Sequence, residues 1–71
     1  MNLTNAEVGK EYIVEDVLLE DEELAAFLFS LGCYRGEPVT AISKRRAGMV
    51  IAIKDARYSI DTALAEAIRI R

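Results

Sequence analysis

Cys33 is the one thiol in this chain, and no histidine accompanies it. Without imidazole, acid–base work or metal binding falls to carboxylates and that thiol. Cys33 with Glu37 or Asp55 is therefore the candidate set for direct sensing of a divalent metal. The competing reading packs Cys33 as a small apolar side chain beside a helix end. The run Glu20-Asp21-Glu22-Glu23 is a less apt cation site, because consecutive residues point in different directions around a helix. Placed just ahead of an apolar pattern, these carboxylates serve better to cap free N–H groups and oppose the helix dipole. No nucleophile with a base, carboxylate pair or phosphate loop can be assembled at a recognisable spacing, so no enzyme and no cofactor are expected.

The remaining chemistry is that of recognition. Lys44-Arg45-Arg46 is the densest basic cluster, suited to an acidic patch on a partner or to keeping a hairpin tip soluble. Tyr34, Arg35 and Tyr58 are types that anchor interfaces, offering large contact area with a polar tip, although Tyr58 also suits half-buried cover of a sheet. With Cys33 these residues form the candidate partner-binding set. A formal charge of -3 opposes a general nucleic-acid binder, whose surface must neutralise phosphates. A single-strand adaptor built on a small barrel is accordingly the weakest reading.

A chain of 71 residues supports one compact domain spanning 1–71, and 52% hydrophobic with 30% charged residues describes a core under a solvated surface. The longest uncharged stretches, Leu24 to Tyr34 and Ala47 to Ile53, fall short of the roughly 18 apolar residues of a membrane span. Met1 to Glu7 lacks the order of a secretion signal and Cys33 is alone, so a reducing cytoplasm is the expected location.

Branched and aromatic residues between Lys10 and Leu19 predict a first strand. Leu24, Phe27, Leu28 and Leu31 follow helical spacing, and Gly32 provides a C-terminal stop. Glu37 to Ser43 reads as a second strand, with Pro38 tolerated at its start. Lys44 to Gly48 reads as a turn, and Met49 to Lys54 as a central strand apolar on both faces. Asp55-Ala56 is a tight connection into Arg57 to Ile60. Asp61 and Thr62 cap a helical turn over Ala63 to Glu66, and Ala67 to Arg71 alternates as a terminal strand. The fold class is mostly β: a small barrel of about five strands that closes its own edges, with one short α-helix between strands 1 and 2 and a helical turn before the last.

The stretch Leu31-Gly32-Cys33-Tyr34-Arg35-Gly36-Glu37-Pro38-Val39 matches Leu-Gly-x-x-x-Gly-x-x-Val and resembles the central signature of FeoA-type domains. Leu3, Val8 and Gly9 resemble the opening of that family, Tyr12 to Val17 its first strand, Leu24 to Leu31 its helix, and Ala65-Glu66-Ala67-Ile68 its ending. Two positions depart from the pattern: Cys33 stands where a larger aliphatic residue is usual, and Ala56 where a glycine often makes the hairpin turn. The resemblance implies an SH3-like barrel, here free-standing, that acts without catalysis in the cytoplasm. Its implied partner is FeoB, the membrane ferrous-iron transporter with a GTPase domain. It also implies likeness to the barrel of iron-dependent repressors. Weak self-association is compatible with this reading.

The barrel reading predicts a core of Tyr12, Val14, Val17, Leu24, Phe27, Leu28, Leu31, Val39, Ile42, Ile51, Ile53, Ile60, Leu64, Ile68 and Ile70.

Overall fold

The computed structural model describes residues 1–71. A 3-10 turn over Leu3–Asn5 precedes β1 (Glu11–Val17), α1 (Glu22–Ser30), β2 (Pro38–Arg45), β3 (Gly48–Ile53), β4 (Ala56–Asp61), α2 (Thr62–Ala67) and β5 (Ile68–Ile70). The strands form one antiparallel sheet in the order β4-β3-β2-β1-β5. The expected five strands and two helices are thus present, with boundaries moved by one or two residues.

Two irregularities curl this sheet. The β1–β5 register shifts between Val14 and Asp16, and the β2–β3 register between Ala41 and Ser43. An extra residue on one strand bends it and increases its twist. The first half of β1 accordingly pairs with β2 and its second half with β5. The edges do not close on each other as expected: β4 and β5 are the two ends of an open order, and α2 bridges them.

The bulge in β2 also corrects one core assignment. Val39 and Ala41 point inward and are buried, which leaves Ile42 half-buried at the irregularity. In β3 the inward residues are Met49, Ile51 and Ile53, each opposite a β4 residue in a continuous ladder. Tyr12, Val14, Leu28, Val39, Ile60, Leu64, Ile68 and Ile70 fill the core as expected, joined by Leu3, Ala6, Cys33 and Ala65. Val17 and Leu31 pack against it while partly exposed. Leu3 enters the core because Asn2 caps its turn, accepting from the Thr4 N–H at 2.9 Å.

The larger correction concerns α1. Asp21 caps it, one carboxylate oxygen accepting from Glu23 N–H at 2.9 Å and Leu24 N–H at 3.2 Å, as the acidic run implies. Leu28 is the only fully buried residue of the helix, whereas Leu24 and Phe27 are 41% and 46% exposed. The apolar residues Leu24, Phe27, Leu28, Phe29 and Leu31 occupy a wider arc than the barrel covers. Leu24 lies on the same stripe as Leu28 and Leu31 but one turn nearer the N-terminus, where it stays 41% exposed, while Phe27 stands to one flank of that stripe and Phe29 far round toward the other side.

Candidate partner-binding surface

The signature loop is built by the end of α1. Gly32, at φ +96°, donates its N–H to the Phe29 carbonyl, and Cys33 donates to that of Leu28, both at 3.0 Å. These two bonds are the Schellman closure of a helix, in which an apolar side chain two residues past the cap folds back onto the last turn. Cys33 is that side chain. It is 2% exposed, and burial pushes its thiol up to about 11 from 9.0. A buried, protonated thiol is neither a contact for a partner nor a ready metal ligand. The packing reading of Cys33 is the one the geometry supports.

Beyond Cys33 the loop is pinned to β1. Gly36 donates to the Val14 carbonyl at 2.8 Å, and Val14 donates to the Glu37 carbonyl at 2.9 Å. This places Tyr34 against Phe29, with ring centroids 4.9 Å apart and tilted by 35°. The Lys54 ammonium lies 5.4 Å from the Tyr34 ring centre and 3.0 Å from the Glu37 carboxylate. Its hydrogen bond to Glu37, then that to Tyr34, raises the Lys54 pKa above the usual lysine value. Arg35 is exposed beside this cluster in sequence.

The other candidates stand elsewhere. Lys44 and Arg45 end β2 and Gly48 begins β3, so the expected five-residue turn is only Arg46-Ala47. Lys44 donates to the Thr4 carbonyl at 3.0 Å, which ties the hairpin to the N-terminal turn. Arg45 and Arg46 flank a cleft of about 240 Å³ floored by Met49 and Ala65. Tyr58, on β4, is half-buried over the core, as its structural reading held. The candidates therefore do not converge on one site. Nor do Cys33, Glu37 and Asp55 form a metal set: no group of three or more Cys, Asp or Glu side chains is gathered to hold an ion. Glu37 is engaged by Lys54, and Asp55 lies in the β3–β4 turn.

The surface that sequence reasoning missed is the part-exposed apolar margin of α1. Leu18 just ahead of the helix is 57% exposed, Leu24 and Phe27 are part-exposed along it, and Phe29, 64% exposed, stands on the other flank beside Tyr34. Large apolar side chains left in water along one short segment are the kind a partner covers. The signal was in the sequence: four large apolar residues in α1, with Leu31 at its C-cap, exceed what one helix can bury on a barrel this small.

The sequence matches the FeoA domain over residues 1–71. The chain belongs to the FeoA family. That family is associated with ferrous iron transport. The fold is similar to the crystal structure of an iron uptake regulatory protein (FeoA), 22% identical over all of this chain and 95% of the other, with a TM-score of 0.86. It is likewise similar to Stenotrophomonas maltophilia FeoA complexed with zinc, 20% identical over 100% and 89% of the two chains, with a TM-score of 0.87. A manganese-dependent transcriptional repressor carries the same fold in part: 99% of this chain superposes on 40% of that one, at 18% identity and a TM-score of 0.88. The expected SH3-like domain thus holds for the fold, and the repressor that shares it is manganese-dependent where an iron-dependent one was expected. No protein of curated function matches the sequence. No helix is long and apolar enough to cross a membrane.

Proposed function

We propose that this FeoA protein is a non-catalytic accessory component of ferrous iron uptake that binds the cytoplasmic part of a FeoB-type transporter. The observation that carries this reading is the uncovered apolar side of α1, where Leu24 and Phe27 meet solvent although the barrel has a complete core without them. Such side chains contribute most when a partner removes them from water. Phe29 with Tyr34 against it, and Arg35, add exposed groups at the C-terminal end of the helix, on its other flank. The Stenotrophomonas maltophilia relative, put forward as a bacterial ferrous iron transport activating factor, supports the same role.

The test is an amide NMR titration of the labelled protein with the cytoplasmic part of a FeoB-type transporter. Shifts confined to residues 18–35 are expected. No shift under several nucleotide and salt conditions overturns the reading.

The zinc-bound relative favours a second reading, divalent-metal binding, which in this chain requires ligands other than the buried Cys33. Titration with zinc or ferrous ion alone, with no movement of any backbone resonance, removes it.

A further inference from the structure

From Glu11 to Tyr34 the chain contains no lysine or arginine. Within it Glu15, Asp16, Glu20, Asp21, Glu22 and Glu23 are all exposed, and none belongs to an ion pair, since the one ion pair of the molecule joins Lys54 to Glu37. Capping and the helix dipole account for Asp21, Glu22 and Glu23. They do not account for Glu15 and Asp16, which lie on the last part of β1. The same segment presents Leu18, Leu24, Phe27 and Phe29 to solvent. Apolar anchors in a setting of unopposed carboxylates define the chemistry of what fits there.

We infer that the exposed margin of α1 carrying Leu24 and Phe27 receives an amphipathic segment of a partner protein, its apolar side chains flanked by lysine or arginine. The inference rests on the reading of α1 as the docking surface and adds the partner's chemistry. Cations beside the apolar contact would meet carboxylates that have no cation of their own, and complementary charge sets orientation and encounter rate. A nine-residue helix is about 13 Å long, which matches two to three turns of an amphipathic helix laid against it.

Charge also disfavours the other occupants. Two copies joined through α1 would bring their carboxylates together. The basic tip of a second copy, Lys44 to Arg46, exposes no large apolar side chain and would make only a heterologous, head-to-tail contact. An anionic membrane would repel the surface.

The test uses the full chain and two synthetic helical peptides with the same leucine and phenylalanine face, one flanked by lysines and one by glutamates. The lysine peptide is expected to shift resonances within residues 15–31, and its affinity to fall at least tenfold between about 50 and 500 mM NaCl. The glutamate peptide is expected to bind at least tenfold more weakly. Leu24→Ser with Phe27→Ser, both exposed, should abolish binding without loss of fold. Glu20→Gln with Glu22→Gln and Glu23→Gln should weaken it and flatten its salt dependence.

Equal binding of the two peptides overturns the inference, as do shifts centred on Lys44 to Arg46, concentration-dependent self-association through α1, or preferential binding to anionic vesicles. Failure of the functional reading looks different. If the lysine peptide binds α1 but the transporter fragment does not, the surface chemistry stands and the transporter assignment falls. If the fragment binds α1 with no dependence on salt or on these glutamates, the assignment stands and the charge inference falls.

Discussion

Lys54 and Gly32 meet across the molecule: a Cβ built on Gly32 would collide with the Lys54 side chain, whose ammonium is held 3.0 Å from Glu37. The β3–β4 turn is thereby laid against the C-terminus of α1, closing over the signature loop. Gly32 is required for two reasons that can be separated, its φ of +96° and the close approach of Lys54.

Gly32→Ala should lower stability by about 1–3 kcal/mol, combining the cost of a left-handed alanine with displacement of Lys54. In a Lys54→Ala background the same substitution should cost less, since the contact beyond Cβ is gone and only the backbone penalty remains. A double-mutant cycle by urea denaturation measures the difference. Strict additivity would show that the side-chain contact is unimportant.

Stability should fall in mild alkali. The Cys33 thiol is held protonated to about 11 by burial, against 9.0 when exposed. Between those values the unfolded chain has released the proton and the folded chain has not, so stability decreases as pH rises. The loss reaches on the order of 2–3 kcal/mol by pH 11. Lys54, also raised, acts in the same direction: its contribution is complete at neutral pH and is lost at higher pH as it deprotonates. Cys33→Ala should flatten the decline between pH 9 and 11, and Glu37→Gln should remove the smaller part due to Lys54. A Cys33→Ala profile parallel to that of the parent protein would contradict the burial account.

Leu28→Ala should cost about 2–5 kcal/mol, much of a small domain's stability, because Leu28 is fully enclosed and its removal leaves a cavity. Leu24→Ala, one turn earlier, should change stability by less than about 1 kcal/mol. Thermal unfolding of the two variants reads how far along α1 the barrel's cover extends, and equal losses would place Leu24 in the core after all.

That contrast shows where the sequence was legible. Strand alternation in Met49 to Ile53, the capping run before α1 and Gly32 after it are local signals, and each corresponds to the element found. The side of α1 facing the barrel is not local. It depends on how much core remains open once Leu3, Ala6 and Cys33 have filled it, and three of the predicted inward residues were displaced by that competition or by the β2 bulge. The candidate site was missed for the same reason: Leu24 and Phe27, read as core by spacing, are surface.

The β3–β4 turn is the last place where the chain departs from local preference. Lys54 and Asp55 have φ of +51° and +64°, and Ala56 pairs with Ile53, so the two-residue loop is Lys54-Asp55, one residue ahead of the expected Asp55-Ala56. Positive φ at both central residues is the geometry that Asn-Gly or Asp-Gly serves best. Asp55→Gly should therefore stabilise the hairpin, by about 0.5–1 kcal/mol, because glycine adopts the second position without the steric cost borne by aspartate and this outweighs its greater chain entropy. Lys54→Gly at the neighbouring position should give no such gain, since it also removes the contacts with Glu37 and Tyr34. A higher melting temperature for the first variant and not the second is the expected pair of results. If neither variant gains, the left-handed pair is not the strained element of this turn.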